Sequence, residues 1–408
     1  MMKILQCHNL YQLAGGEDSV VADERALLES RGHEVVQYVL HNNDVDEVSR
    51  LRLAAGTIWS RKSAKALREL IRREKPDIAH FHNTLPLMSP SSYHAVRDEG
   101  VAVVQTLHNY RLLCPKATFF RDNQICEECL HKKVKWPAIK HGCYRDSRSA
   151  STAVTAMLTV HGTIGTYRKA IDAYIACSEF TRDKMIEGGY PGDRIHYKPN
   201  FIADDPGVGP GDGGYAMYLG RLSPEKGIEV LVKAWDQLGD VPLRVVGKGP
   251  IQEQITALAS RNDAVTHHSW LSFPELGRVL GKAAFLVLPT MNYEGFPRVI
   301  VEAYGHGLPV VASDIGAMGR VIVDGETGRH VKYGDADDLA RVVRELMNDP
   351  AQVQRLRRGA RQAYEQAYTA DINYDTMISI YQQARERFNQ SPQARNIPSR
   401  QGPTPAAV

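Results

Sequence analysis

Short apolar runs alternate along this chain with longer amphipathic stretches, a pattern that predicts parallel sheets wrapped by helices. In the first half the runs are Lys3 to Cys7, Glu34 to Leu40, Asp77 to Phe81, Val101 to Leu107 and Ala173 to Cys177. In the second half they are Tyr215 to Leu219, Leu243 to Val246, Ala264 to His267, Phe285 to Leu288 and Pro309 to Ala312. Between the halves, residues 204–214 read Asp-Asp-Pro-Gly-Val-Gly-Pro-Gly-Asp-Gly-Gly, which sustains neither a helix nor an interior strand. The expected organisation is therefore α/β: one Rossmann-like domain over 1–203, a linker over 204–214 and a second Rossmann-like domain over 215–370, with parallel sheets facing across a cleft and ligands at the carboxyl ends of the strands. Beyond Asp335 the pattern is wholly helical. The tail 390–408, with Ser, Pro, Gln and Gly but little apolar content, is expected to be disordered.

Chemistry enters at Glu294 and Glu302, which bracket Gly295-Phe296-Pro297. Pro297 is suited to open a helix, because the N–H it lacks would find no partner there. Glu294 then precedes the helix and Glu302 lies inside it. The free N–H groups of a helix start suit a phosphate or diphosphate, and carboxylates beside such a site would accept hydrogen bonds from sugar hydroxyls. A Glu pair alone also fits an amphipathic helix with one capping and one solvated carboxylate. A second stretch, Tyr218-Leu219-Gly220-Arg221-Leu222-Ser223-Pro224-Glu225-Lys226-Gly227, reads as strand, tight loop and helix start. Arg221 and Lys226 would leave it at the mouth of the sheet, as diphosphate ligands or as solvated surface cations.

Gly-Arg-Leu-x-x-x-Lys-Gly together with Glu-Gly-Phe-Pro-x4-Glu resembles the retaining nucleotide-sugar glycosyltransferases of family 4, which have the GT-B fold. The resemblance extends through Val245 to Pro250, Ser178 to Thr181, Lys198 to Asn200 and Asp324 to Gly328, and covers the chain from Met2 to about Asn389. It implies that Arg221 and Lys226 hold the donor diphosphate, Glu294 approaches the transferred sugar and Glu302 meets the nucleotide ribose. Gly16, Lys248, Gly295 and Phe296 join the donor site, and His108, on the loop after a buried strand, stands near the reacting sugar. The last helix, 371–389, returns to the first domain. The implied chemistry is a front-face substitution in which the leaving diphosphate takes the acceptor's proton, stabilised by cations and amides and with no catalytic metal. Asp44-x-Asp46 and Asp335-x-Asp337 read as loop and helix-capping residues rather than metal ligands. A nucleotide-sugar epimerase of the same fold and a catalytically silent nucleotide-sugar-binding protein remain as alternatives.

At 408 residues, 43% hydrophobic and 24% charged, the chain has the composition of a globular protein with room for two domains. A net charge of +3 is too mild to mark nucleic acid as the partner. No apolar run approaches a bilayer span, and the N-terminus enters a strand rather than a signal peptide. The expectation is a cytoplasmic enzyme, acting on a glycan or lipid-linked acceptor of surface polysaccharide synthesis. Resemblance alone supports that pathway.

A segment at about 112–150 stands apart. Cys114, Cys126, Cys129 and Cys143 fall within it, with Cys126-Glu127-Glu128-Cys129 as a Cys-x2-Cys knuckle. Four thiolates suit a structural zinc ion; reduced thiols or, less in keeping with a reducing compartment, disulfides also fit. From His131 to Ala170 there are eight Lys and Arg against one acidic residue, with Trp136, Ile139, Tyr144 and Ile164 interspersed. Such a face could rest on an anionic membrane surface at the inner leaflet, or be a solvated charged face.

Overall fold

The computed structural model describes residues 1–12 and 15–395. It contains two six-stranded parallel sheets and one small hairpin. The first sheet uses β1 (Lys3–Leu10), β2 (Glu34–His41), β3 (Ile78–Phe81) and β4 (Ala102–Leu107). A hairpin follows, of β5 (Phe120–Arg121) and β6 (Gln124–Ile125), before β7 (Ala173–Ala176) and β8 (Ile195–Tyr197) complete that sheet. The second sheet is built of β9 (Ala216–Leu219), β10 (Leu243–Val246), β11 (Val265–His268), β12 (Phe285–Leu288), β13 (Val310–Ser313) and β14 (Gly328–Val331). The strand orders are β2-β1-β3-β4-β7-β8 and β11-β10-β9-β12-β13-β14.

Central strands such as β4 and β12 are buried at every residue. Helices cover both faces of a parallel sheet, so its inner strands read as unbroken apolar runs. All ten runs named from the sequence are strands, with ends shifted by a few residues. The edge strands β8 and β14, Ile-His-Tyr and Gly-Arg-His-Val, carry no such run and were not anticipated. Pro297 is also displaced by one position. It is the N-cap, with ψ 124°, and the helix proper is Arg298–Gly305.

Residues 203–214 form neither helix nor strand and are pinned to the second half, where Arg361 pairs with Asp205 at 2.6 Å and Arg357 donates to the Gly209 carbonyl at 2.6 Å. After helices Ala336–Asn348 and Pro350–Ala367, the helix Ala370–Gln390 crosses back. Its Met377, Ile380, Tyr381, Ala384 and Phe388 pack against Ile4, Ile78, Ala102, Val104 and Ile175 of the first sheet. The disorder expected from residue 390 does not hold as far as Arg395, because Pro392–Arg395 adds a further helical turn; the rest of that expectation, 396–408, lies outside the described residues. Asp335 caps the helix that follows it, accepting from the Asp338 amide at 2.9 Å. Among the described residues no helix is long and apolar enough to cross a membrane.

Candidate functional site

The carboxyl ends of the two sheets meet, and the loops leaving β1, β4, β9, β10 and β12 form the cleft between them. After β9 the chain turns through Gly220 and Arg221 into a 3-10 turn, Pro224–Lys226, and then the helix Ile228–Leu238. Gly227 joins the two with φ +73°, and a Cβ there would stand 1.7 Å from the Pro289 carbonyl oxygen, so only glycine lets the β9 and β12 loops approach this closely. Lys226 Nζ lies 2.6 Å from Glu294 Oε1, and Thr290 donates to the same oxygen at 3.1 Å. The Glu294 carbonyl accepts from the Tyr110 hydroxyl at 2.9 Å. A Cβ on Gly295 would come within 2.7 Å of the His108 carbonyl oxygen. The two halves therefore touch at the residues in question.

Arg221 is exposed and forms no ion pair among the described residues; its carbonyl accepts from Tyr218 at 2.9 Å. Phe296 is buried, and Asn200 donates to its carbonyl at 2.7 Å. Glu302 pairs with Arg298 at 3.0 Å, and Arg298 also reaches Asp23 of the first half at 2.5 Å. Burial raises the Glu302 carboxyl above its ordinary range despite Arg298. Gly16 opens the helix Gly16–Ser30, with Arg298 across the cleft. Lys248 sits on the rim: its carbonyl accepts from the Leu222 amide at 3.1 Å and its side chain is exposed. Lys226, Glu294 and Gly295 thus meet the His108 loop, Gly16 and Glu302 both meet Arg298, and Arg221 and Lys248 are exposed on the loops after β9 and β10.

His108 heads a buried relay. Its Nε2 lies 2.9 Å from His82 Nδ1, His82 Nε2 lies 3.5 Å from Glu24 Oε2, and Glu24 Oε1 is 2.8 Å from Lys198 Nζ. Lys198 also donates to Asn373 of the returning helix at 3.1 Å. Burial lowers His108 to about 3, against an opposing pull from Glu24, and lowers His82 well below its usual range, so both rings are neutral near pH 7. His82 Nε2 and Glu24 Oε2 make no hydrogen bond to one another, so the tautomers decide which ring donates between His82 Nδ1 and His108 Nε2.

Glu24, His80 and His82 are the one group among the described residues whose metal-ligating atoms lie within 4.8 Å of one another. Both nitrogens of His80 are engaged, by Tyr381 at 2.8 Å and Thr106 at 2.7 Å, and Lys198 supplies the countercharge to Glu24. The arrangement is an ion pair with histidine partners rather than a cation cage.

The sequence reading did not single out Glu24, His82, Arg298 or Asp23. Glu17 was also passed over. It lines a cavity of about 60 Å³ with His82, His108 and Arg111. Burial pushes its carboxyl up to about 7, opposed by the hydrogen bond from the Tyr11 hydroxyl at 2.8 Å. A wider groove of about 810 Å³ separates the hairpin segment, at Lys116, Tyr144 and Arg145, from the Arg221 loop.

Two Rossmann-like sheets meeting in this way define a GT-B protein. The same fold is seen in sucrose-phosphate synthase from Thermosynechococcus elongatus, with TM-score 0.70 and 19% identity over 94% of this chain and 99% of that one. It is seen also in Anabaena HepE in complex with UDP-glucose, with TM-score 0.62 and 18% identity over 96% and 100%.

Residues 14–205 match the model for Glycosyltransferase Family 4 and residues 205–363 that for Glycosyl transferases group 1; the chain belongs to this family of glycosyltransferases. Among curated relatives, glycogen synthase of Mycobacterium tuberculosis is 31% identical over 245 residues, 55% of this chain and 57% of that protein. Alpha-D-kanosaminyltransferase of Streptomyces kanamyceticus is 27% identical over 299 residues, 70% and 71% of the two chains. The match spans little more than half the length of the glycogen synthase.

Proposed function

We propose that the protein is a retaining, metal-independent glycosyltransferase that moves a hexose-type sugar from a nucleoside-diphosphate donor to a glycan or lipid-linked acceptor of surface polysaccharide synthesis. The observation that carries this reading is the pairing of Lys226 with Glu294 beside the start of the helix Arg298–Gly305, within contact of the His108 loop, with Arg221 exposed on the same loop as Lys226. HepE, of the same fold, is described in complex with UDP-glucose, which supports a nucleotide-sugar donor here.

In this reading Arg221 and Lys226 neutralise the departing diphosphate, and the amides that open the helix add dipole stabilisation. Glu302 accepts from the ribose and Glu294 from the sugar. In this reading neither Glu294 nor His108 is assigned the role of base: the Glu294 carboxylate is engaged by Lys226 and Thr290, and burial lowers the His108 imidazolium to about 3. The leaving phosphate oxygen then takes the acceptor's proton as the new bond forms on the same face, which retains configuration. The groove facing Arg221 gives the acceptor its approach.

A membrane-facing role for the first half is supported by exposed apolar side chains among cations. Leu51 lies between Arg50 and Arg52, while Val134 and Trp136 stand beside Lys132 and Lys133. Such a surface suits peripheral contact with anionic lipid at the inner face of the membrane.

The test is a thermal-shift and calorimetric screen against UDP, GDP, ADP and their sugar conjugates, with Glu302→Ala in parallel. Selective stabilisation by one nucleotide, weakened in the variant, is the expected result. A folded protein that binds none of them, or a variant that binds as tightly as wild type, refutes the assignment.

A further inference from the structure

We propose that Cys114, Cys126, Cys129 and Cys143 bind one structural zinc ion, which braces the wall of the cleft. All four are free thiols and line a single cavity of about 20 Å³, the space of one water-sized sphere. They arrive from three pieces of chain, Cys126 and Cys129 sharing the knuckle. Cys114 leads a turn closed by the Ala117 amide on its own carbonyl at 2.7 Å, Cys126 donates to Phe119 at 2.8 Å across the hairpin, Cys129 closes the knuckle, and Cys143 follows the helix Trp136–His141, its amide on the Ala138 carbonyl at 3.0 Å.

The charge around the thiols points the same way. Lys135 is buried, and its ammonium donates to the carbonyls of Cys129 at 2.7 Å and Leu130 at 3.1 Å with no carboxylate partner among the described residues. A buried cation without a counter-ion is costly, and four metal-bound thiolates, carrying a net double negative charge with zinc, supply that counter-ion. Glu128 lines the same cavity, but Arg121 holds it at 2.8 Å and His141 at 3.4 Å, which leaves sulfur as the donor set. The stretch 108–135 contains no regular structure beyond the two-residue strands β5 and β6, and Leu113, Phe119 and Leu130 anchor it to the core of the first half.

Zinc bonded to four sulfurs at ~2.3 Å spaces them ~3.8 Å apart. Among the described residues no three cysteine sulfurs lie mutually within 4.8 Å, so loading draws the side chains inward by rotation about χ1. The segment is tied to the site. Glu127 of the knuckle pairs with Lys184 at 2.9 Å, and Phe119 packs edge-on to Tyr293, the neighbour of Glu294, at 5.8 Å between ring centres.

The deciding experiment measures metal on the purified full-length chain by plasma mass spectrometry, with thiol counts on the native protein. One zinc per chain is expected, released in step with mercurial titration of four thiols. Cobalt-exchanged protein should give the thiolate-to-cobalt charge-transfer bands of a tetrahedral sulfur site. Cys126→Ser and Cys143→Ser should lose the metal while Cys7→Ala keeps it; should either serine variant fail to fold, the wild-type stoichiometry and cobalt spectrum still decide. Zinc well below one equivalent, disulfides linking these four residues, or zinc retained by both serine variants would overturn the proposal.

Discussion

Replacing Lys198 by methionine removes the ammonium and keeps most of the volume. Glu24 is then left with a fully buried side chain and no countercharge, since its remaining neighbours, His80 and His82, are neutral. Removing one partner of a buried pair costs about 3–5 kcal/mol. At roughly 2–4 °C per kcal/mol for a domain of this size, the melting temperature should fall by about 6–20 °C. The pH dependence carries a sign. In the wild type, burial pushes the Glu24 carboxyl up, but Lys198 and the histidines outweigh it and hold the pKa below its ordinary value. That stability is present above the ordinary value and lost as pH falls through the depressed one. In Lys198→Met burial dominates, the carboxyl rises above its ordinary value, and the folded state keeps a proton that the unfolded chain has lost. The deficit against wild type should therefore be small near pH 4 and grow toward pH 7. Thermal and urea melts from pH 4 to 8 measure it. The double variant Glu24→Gln, Lys198→Met should recover most of the loss, because neither charge is then stranded. A deficit under about 1 kcal/mol, independent of pH or unrelieved in the double variant, refutes the reasoning.

Other outcomes are as specific. Lys226→Ala and Arg221→Ala should each lower kcat by about 10²–10³, Arg221→Ala melting close to wild type and Lys226→Ala, which leaves the partly buried Glu294 without its ammonium, melting lower; sugar-transfer assays at saturating donor decide this, and wild-type turnover from both variants would remove them from the site. Gly295→Ala places a methyl carbon 2.7 Å from the His108 carbonyl and should cost about 1–3 kcal/mol together with donor binding, read by melting with and without nucleotide. Because Glu17 is raised from near 4.5 to about 7, the folded state holds a proton there that the unfolded chain lacks, so wild-type stability should decline as pH rises from about 4.5 to about 7 and level off above. Glu17→Gln should flatten that slope; an unchanged profile would show that the group titrates normally.

The sheets were legible in the sequence because inner parallel strands are covered on both faces and so appear as unbroken apolar runs. Edge strands have no such obligation, and β8 and β14, three and four residues with polar side chains outward, left no pattern. The cleft cations and carboxylates were legible as motifs, since each lies beside a turn that demands glycine or proline. Their partners were not. Lys226 and Glu294 are 68 positions apart, and only the crossover from β9 to β12 makes them neighbours. Glu24 left a faint mark. The buried face of its helix is Val20, Val21, Glu24, Leu27 and Leu28, so the glutamate occupies the i+3/i+4 stripe that should be apolar. Asp23 and Arg25 on either side hide that break, because three consecutive charges look like a solvated face.

The pairing within the cleft explains why the proposed site needs both signs of charge. Lys226 and Glu294 are partly buried and would each be costly to leave without a partner, so the side chains hold one another at 2.6 Å. In the proposed reading a diphosphate would compete for Lys226 with greater charge and free Glu294 for sugar hydroxyls that replace the lost ammonium. Each partner lost is exchanged for one gained, and the net desolvation cost of binding is reduced by the groups that had been paired. Arg298 is placed for the same exchange on the ribose side, since it already bridges Asp23 of the first half and Glu302 of the second. A ribose that donates to Glu302 leaves the Arg298–Asp23 contact in place. Donor binding in the second sheet's loops, as proposed, is thereby compatible with the contact between Gly295 and the His108 loop.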